Sequence, residues 1–132
     1  MIFEIKSRYD LSVLFSLETE SLKLCIEAAV GRYADLRSAD LSSADLSSAN
    51  LRSATIRDDI KVSKAPLQIL GLAYPIIIWD SHMQIGCEFH SLSEWAAFDD
   101  ARIVKMEGRT ALTFWRTHKD ALLAIAKSDG RE

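Results

Sequence analysis

Five consecutive pentapeptides at residues 34–58 constrain the fold of this 132-residue chain more than any other feature. Each begins with Ala and carries Leu or Ile two positions later, with Asp, Asn or Thr between them. A period of five matches neither the 3.6-residue turn of an α-helix nor the two-residue alternation of a strand. It matches a solenoid in which each pentapeptide forms one face of a square coil, so a short right-handed quadrilateral β-helix is predicted here.

The coil also predicts which side chains point inward. The central residue of each pentapeptide is expected to fill the interior, together with the small alanine two positions before it. The other three positions face water, which accounts for their polar residues. The predicted interior of the β-helix consists of Leu36, Leu41, Leu46, Leu51 and Ile56. Four pentapeptides complete one turn, so the open ends of so short a coil require caps from the neighbouring segments.

A helix is expected over about residues 20–31, immediately before the array. Apolar residues recur there at i, i+3, i+4, i+7 and i+8 from Leu22, which is one face of a helix. Glu18 and Glu20 are expected at its start, where the helix dipole favours anions. Gly31 is expected to end it.

Short apolar runs predict strands on both sides of the array. Residues 2–6 and 11–16 flank a polar turn, which is typical of a β-hairpin. After the array, residues 67–70, 76–79 and 83–85 predict three further strands.

The remainder of the chain is predicted to be helical. Residues 91–94 (Ser-Leu-Ser-Glu) have the sequence of a capping box and open a short helix. A second helix is expected to start at residues 99–100 and to end near Gly108, and the last to cover residues 110–127. The predicted apolar side of that last helix consists of Leu112, Trp115, Leu122, Leu123 and Ile125. The overall prediction is an α+β fold in three parts: 1–33, 34–58 and a C-terminal strand-and-helix module, 64–132.

Charge and composition exclude several classes of function. The net charge is −3 and no run of Lys or Arg resembles a nucleic-acid footprint, so direct nucleic-acid binding is not expected. No apolar run approaches 18 residues, so no membrane span is expected, and the N-terminus lacks the features of a signal peptide. Cys25 and Cys87 are expected to be buried thiols of a reducing cytosol, with a disulfide as the alternative.

The Ala-(Asp/Asn)-Leu-x-x array resembles those of pentapeptide-repeat proteins. Beyond the array, the hairpin and helix and three C-terminal segments resemble small proteins common in phages and prophages of proteobacteria. Those segments are residues 64–69 (KAPLQI), 78–88 (IWDSHMQIGCE) and 114–119 (FWRTHK). The resemblance implies a phage-type accessory protein in the bacterial cytoplasm, with no expected catalysis or cofactor. It also implies DNA mimicry as a mode of action, since better-known members place an acidic rod in the DNA channel of a type II topoisomerase.

DNA mimicry requires a high density of negative charge. Duplex DNA carries about one charge per 1.7 Å, so a coil about 6 Å tall would need roughly three or four net charges. Residues 34–58 hold four Asp and three Arg, a net charge of −1. The array alone is therefore a poor mimic, and we expect partner binding through a wider acidic surface. Its predicted members are Asp35, Asp40, Asp45, Asp58, Asp59, Glu18 and Glu20. The alternative is that these acids form a solvated surface without a partner.

A second candidate site contains ligand types that zinc uses: His82, Cys87 and His90, with Asp80 and Glu88 nearby. The spacing His-x4-Cys-x2-His is not a standard zinc motif and lacks an obvious fourth ligand. A structural role is favoured, with Cys87 inside and both histidines at strand ends. A metal-dependent nuclease built on Asp80, His82 and His90 is the least favoured interpretation.

The chain shows no other catalytic pattern. It lacks a glycine-rich phosphate loop, a nucleophile elbow and a Cys-x-x-Cys motif. Trp79, Trp95 and Trp115 are open to two interpretations, a ligand pocket or a core, and the core is favoured because aromatics fill helix–sheet junctions. The protein is therefore not expected to be an enzyme.

The favoured function is a non-enzymatic inhibitor that binds a host DNA-handling defence complex. The most concrete version is an anti-CRISPR protein that prevents a surveillance complex from binding target DNA. This version is supported by the resemblance to phage proteins and by the negative net charge. It does not rest on a sequence motif. The alternatives are a DNA-mimicking modulator of a type II topoisomerase and a phage interaction protein without an inhibitory role. The expected partner is a host protein complex, not nucleic acid or membrane, and the protein is expected to be a monomer or dimer.

Overall fold

The chain divides into two compact units, Met1–Pro66 and Leu67–Glu132. The computed structural model describes residues 1–37, 39–41, 44–46, 49–51, 54, 60 and 62–132. Each unit combines α-helix with an antiparallel sheet, two-stranded in the first and four-stranded in the second. The described part of the chain is therefore a mixture of helix and sheet, as expected for an α+β protein.

The first unit opens with the predicted β-hairpin. Strands β1 (Ile2–Lys6) and β2 (Val13–Glu18) pair antiparallel, and β2 lies two residues later than predicted. The reason lies in the turn, where the carboxylate of Asp10 accepts hydrogen bonds from the backbone nitrogen and the hydroxyl of Ser12, at 3.0 and 2.7 Å. These bonds keep residues 11–12 in the turn, so the second strand starts only at Val13.

Helix α1 (Leu22–Gly31) follows the hairpin, close to its predicted limits. Ser21 caps it, because its hydroxyl oxygen accepts the Leu24 amide hydrogen at 3.1 Å. The expectation for the acids is wrong, since Glu18 ends β2 and Glu20 precedes the cap. A hydroxyl cap satisfies the free amides directly, so the acids are not required in the first turn.

Helix α1 ends at Gly31, as predicted, but the left-handed residue that closes it is a tyrosine two positions later. Gly31 is the last helical residue, and Tyr33 takes the left-handed conformation with φ of 58°. The Ala34 amide donates to the Ala29 carbonyl at 2.9 Å, and the Tyr33 amide to the Val30 carbonyl at 3.1 Å. This pair of bonds is a Schellman motif. A tyrosine thus occupies the position where glycine is usually found, at a conformational cost.

One backbone hydrogen bond recurs through the repeat segment every five residues. The Ala39 amide donates to the Leu36 carbonyl at 3.0 Å, and the same bond is repeated up to Ala54 and Leu51 at 2.9 Å. A bond from a carbonyl to the amide three residues later is the bond that closes a β-turn. Each leucine is therefore linked to the alanine that opens the next pentapeptide.

The second unit is built on a sheet in chain order. Strands β3 (Leu67–Ile69), β4 (Ile76–Ile78), β5 (His82–Ile85) and β6 (Glu88–Ser91) pair antiparallel. The first three confirm predicted strands. Strand β6 has no counterpart in the sequence analysis, because its sequence Glu-Phe-His-Ser carries a single strongly apolar residue.

Two helices follow this sheet along the chain. Helix α2 (Leu92–Ala97) begins with the predicted capping box. The Ser91 hydroxyl accepts the Glu94 amide hydrogen, and the Ser91 amide donates to the Glu94 carboxylate. Helix α3 (Asp100–Ser128) begins at its cap Asp99 and has non-helical dihedral angles at Glu107 and Gly108.

The kink divides α3 into the two predicted helices. Gly108 has φ of 67° and ψ of −143°, a conformation that suits glycine. Arg116 forms an ion pair with Asp100, 16 residues earlier. In a straight helix these residues would lie about 24 Å apart, so the chain after Gly108 turns back along the first half.

The core of the second unit is aromatic and confirms the core interpretation of the tryptophans. Trp95 and Trp115 are 2% and 4% exposed, with ring centres 5.0 Å apart. Trp79 is also buried. The Trp95 indole nitrogen donates to the Met83 carbonyl at 2.8 Å. Ile125, predicted on the apolar side of the last helix, is 41% exposed. The buried residues of α3 are Ile103, Phe114, Trp115, Leu122 and Ala126.

Arg131 ties the end of the described chain to the sheet. Its side chain is buried, and its Nη1 donates to the Ile78 carbonyl at 3.0 Å while Nε donates to Asp129 at 2.8 Å. The Arg131 amide donates to the Ala126 carbonyl at 2.9 Å. A buried guanidinium is stable only when such partners are present.

The two core tryptophans provide a matched test of the Trp95 hydrogen bond. Trp95→Phe and Trp115→Phe each replace an indole by a phenyl ring at a buried site. We expect Trp95→Phe to lower the free energy of unfolding by about 1–3 kcal/mol more, because it leaves the Met83 carbonyl without its partner. Urea denaturation of both variants measures the difference. Equal losses would show that the bond contributes no net stability.

The left-handed Tyr33 predicts a stabilising substitution. Tyr33→Gly is expected to raise the free energy of unfolding by about 0.5–1 kcal/mol, because glycine adopts this conformation without steric cost. The side chain is 95% exposed, so little packing is lost. Tyr33→Ala is the control, since it removes the same ring but keeps the Cβ. A gain in both variants on thermal denaturation would assign the effect to the ring rather than to backbone strain.

Candidate interaction surface

In the repeat segment, buried apolar positions and exposed polar positions recur with a period of five residues. Its described central leucines and the alanines that follow them are at most 8% exposed. They are Leu36, Leu41, Leu46 and Leu51, with Ala39, Ala44, Ala49 and Ala54. The residue before each of those leucines is exposed: Asp35, Asp40, Asp45 and Asn50. The packing of the apolar residues thus holds a series of polar side chains at a fixed interval.

The first acid of the series is neutralised within its own repeat. Arg37 donates through Nε and Nη2 to the two carboxylate oxygens of Asp35, at 2.9 and 2.8 Å. The side-chain hydrogen bonds of Arg37, followed by its backbone amide, lower the pKa of Asp35 from 3.8 to about 2. Asp35 stays ionised, but the adjacent guanidinium offsets its charge. Asp40 and Asp45 are the other two acids of the described repeats.

The hairpin lies directly beside the first repeats. Ser7 forms an antiparallel bridge with Ala39, and the Asp40 amide donates to the Lys6 carbonyl at 2.8 Å. Arg8 donates from Nη1 to the Arg37 carbonyl at 3.0 Å. The backbone of Asp40 is therefore hydrogen-bonded to Lys6, the last residue of β1, which fixes its position.

Helix α1 contacts a later repeat through Glu27. A carboxylate oxygen of Glu27 accepts the Asn50 amide hydrogen at 2.8 Å. Neither Glu27 nor Arg8 is among the predicted site residues. Both lie at ordinary polar positions of a helix and a turn, and only the fold reveals that they bind the array's backbone.

The other predicted members of the acidic surface are located differently. Glu18 pairs with Ile2 at one end of the hairpin, about 13 Å along the strand from the Lys6 end that contacts the array. Its carboxylate lies 3.9 Å from the N-terminal amine and is 81% exposed. Glu20 is exposed in the segment before α1. Asp58, Asp59 and the predicted interior residue Ile56 lie outside the described residues.

The structure corrects the expectation for the cysteines. Cys87 is exposed at the turn between β5 and β6, because the two-residue connection leaves its side chain outside the sheet. Cys25 is buried, and burial raises the pKa of its thiol. Both cysteines are free thiols, which excludes the disulfide alternative.

The histidines have structural contacts. His82 lies with Nδ1 2.8 Å from the Ser81 hydroxyl, and its ring stacks on Phe89 at 5.2 Å. Burial lowers the pKa of His82 from 6.5, so the ring is neutral at pH 7. His90 lies with Nε2 3.0 Å from a Glu88 carboxylate oxygen.

No metal centre emerges from the His/Cys cluster in the described residues. The described His, Cys, Asp and Glu side chains form no group of three or more that could hold a metal ion. Nor, within the same described residues, is any helix long and apolar enough to cross a membrane.

The Asp35–Arg37 pair predicts an unusual titration. The Asp35 carboxyl should titrate near pH 2, and Arg37→Gln should move its midpoint upward toward 3.8. Because the folded-state pKa is the lower one, the pair's small contribution to stability is present above pH 3.8 and is lost as the pH falls through about 2. Carboxyl-detected NMR titration of both proteins measures this. An unchanged midpoint in the variant would assign the shift to another group.

Comparison with known proteins identifies one segment of the chain. Residues 32–58 match a family model described as Pentapeptide repeats (8 copies). No curated protein and no solved structure matches the chain. The matched segment contains all five pentapeptides and lies within the first unit. The match therefore supports assigning this repeat segment to the pentapeptide-repeat family.

Proposed function

We propose that this protein is a non-enzymatic inhibitor whose repeat segment binds another protein. Pentapeptide repeats suggest a protein-interaction module. The observation that carries the proposal is the polar series on a buried leucine and alanine core. Because the buried leucines and alanines recur every five residues, the spacing between the exposed carboxylates is fixed before a partner binds. Such preorganisation lowers the entropy lost on binding.

In this proposal the repeat segment is a short right-handed quadrilateral β-helix with one pentapeptide on each face. The recurring hydrogen bond from an alanine amide to a leucine carbonyl closes one β-turn per pentapeptide, which supports this geometry. The pairing of Lys6 and Ser7 with Ala39 and Asp40 covers backbone that a single coil would leave open. The hairpin and α1 are therefore the caps that so short a coil requires.

The partner surface in this proposal is basic. Asp40 and Asp45 are exposed carboxylates in the second and third pentapeptides. Complementary charge steers association and fixes orientation more than it raises affinity. DNA-binding grooves provide basic surfaces of this kind because they neutralise phosphates.

The proposed target is a host DNA-handling defence complex, and most concretely a CRISPR surveillance complex whose DNA-binding surface is blocked. The resemblance of the hairpin, the array and the C-terminal segments to small phage proteins supports this target, as does the negative charge. Two exposed carboxylates replace only a short stretch of DNA, so the block in this proposal is partly steric. The protein acts in the bacterial cytoplasm and binds neither nucleic acid nor membrane directly.

The test is phage plaquing on hosts with active CRISPR immunity, with and without this protein. The informative variant is Asp40→Asn/Asp45→Asn, because Asn50 shows that the array accepts asparagine at this position. We expect restored plaquing with the original protein, and about tenfold or greater loss of that rescue with the variant. The same assay on hosts that carry no guide controls for effects unrelated to immunity.

The matched control is Glu4→Gln/Asp120→Asn, which removes two exposed carboxylates outside the repeats. It should retain rescue, and equal melting temperatures would show that all variants are folded. Full rescue by the Asp40→Asn/Asp45→Asn variant would show that these acids do not contribute to partner binding. Absence of rescue in every CRISPR type would overturn the target and make topoisomerase supercoiling the next assay.

A further inference from the structure

Two residues of the first unit combine a left-handed backbone conformation with a large exposed side chain. Leu11 has φ of 63° and is 69% exposed, and Tyr33 has φ of 58° and is 95% exposed. They are the non-glycine residues with positive φ in the part of the chain that the structure describes. Glycine adopts this conformation without the steric cost that a Cβ brings. In the free protein, these two side chains therefore give little packing in return for a strained backbone.

Both residues adjoin the first pentapeptides of the array. Tyr33 directly precedes the array, and four residues of chain reach at most about 14 Å, so its Cα lies within that distance of the Arg37 Cα. Leu11 lies in the hairpin loop, where its amide donates to the Ser7 carbonyl at 3.1 Å. Ser7 in turn forms the antiparallel bridge with Ala39. The two strained positions thus flank the same end of the repeat segment.

A third exposed apolar side chain, Tyr9, is held beside this end of the array. Tyr9 is 75% exposed, and its amide donates to the Ser7 hydroxyl at 3.2 Å. Its own hydroxyl accepts a hydrogen bond from Arg8 Nη2 at 2.9 Å. Arg8 Nη1 donates to the Arg37 carbonyl at 3.0 Å, so one guanidinium connects the tyrosine to the repeat backbone. The ring is therefore positioned relative to the array before any partner binds.

The acids next to these side chains indicate which kind of partner fits them. Asp10 lies between Tyr9 and Leu11 in the sequence, and hydrogen bonds from the amide and then the hydroxyl of Ser12 lower its pKa, so it is ionised at pH 7. Asp40 is exposed beside the hairpin, with its amide bonded to the last residue of β1. Apolar side chains among carboxylates complement a protein surface that has an apolar pocket beside basic residues.

We propose that Tyr9, Leu11 and Tyr33 are the apolar anchors with which this end of the array binds its protein partner. The inference rests on the proposed function, because the partner is the same, and it adds that the partner's basic surface includes an apolar pocket. Tyrosine is enriched among the interface residues that dominate binding energy, and anchors fixed in advance lose less entropy on binding. Strain retained at exposed positions is typical of sites that serve function rather than stability.

The test is the variant Leu11→Gly/Tyr33→Gly in the full chain. Because glycine removes the strain at both positions, the melting temperature should rise by roughly 3–10 °C. The same variant should lose phage rescue on hosts with active CRISPR immunity by about tenfold or more, because two anchors are absent. A variant that is more stable and yet inactive excludes unfolding as the cause of the loss. A lower melting temperature would overturn the argument from strain.

Three further variants separate the anchors from general effects of substitution. Leu11→Met/Tyr33→Phe keeps an apolar side chain at both positions and should retain rescue. Leu70→Ser removes a leucine that is 73% exposed in the second unit, and it should also retain rescue. Tyr9→Ser should reduce rescue about three- to tenfold without lowering the melting temperature, since its ring is largely exposed.

Failure of the anchors and failure of the proposed function give different results. Full rescue by the glycine variant would overturn the anchors and leave the proposed function in place. No rescue by the original protein in any CRISPR type would overturn the proposed function and the anchors with it. Fluorescence anisotropy with a labelled single-stranded oligonucleotide tests the competing kind of partner. Binding that Tyr9→Ser abolishes would show that the ring stacks on bases, which would overturn a protein partner for this surface.

Discussion

A β-helix of only five pentapeptides, the type of fold that such repeats imply, has open edges and little length in which to bury them. The first unit meets this constraint with segments from outside the repeat. Residues at the turn end of the hairpin pair with the backbone of the second pentapeptide, and a glutamate of α1 accepts a backbone amide from the fourth. The placement of the exposed acids depends on these contacts, because Asp40 is held through its own amide. The hairpin and helix are thus part of the candidate surface.

The electrostatic field along the repeats depends on how the charged side chains pair as well as on how many there are. Asp35 and Arg37 form a pair joined by two side-chain hydrogen bonds. The pair contributes shape and hydrogen-bonding capacity, but little net field. A partner that approaches the repeats therefore meets an uneven surface, on which the first acid is already paired with an arginine of its own repeat. Such unevenness favours one orientation of binding over others.

Much of the fold follows from local patterns in the sequence. The hairpin, the capping box of α2 and the break in α3 all depend on residues within a few positions, namely an apolar alternation, a Ser-x-x-Glu motif and a glycine. The features that sequence reasoning missed depend on distant partners. Strand β6 exists because β5 offers it a pairing edge, and the polar side chain of Arg131 is buried because a carbonyl of β4 lies in reach. The inward face of the last helix was partly misjudged at Ile125, since packing against the sheet, not hydropathy alone, selects that face.

The Arg131 contact has a consequence for how the second unit assembles. Its guanidinium binds the carbonyl of Ile78, 53 residues earlier in the chain. Strand β4, one of the two inner strands of the sheet, therefore reaches its final environment only after α3 has turned back at Gly108 and its last turn has formed. Contacts between such distant residues require closure of a long loop before they give any stabilisation, which slows folding. During synthesis of the chain, the core around β4 would therefore remain incomplete until nearly the whole second unit had been made.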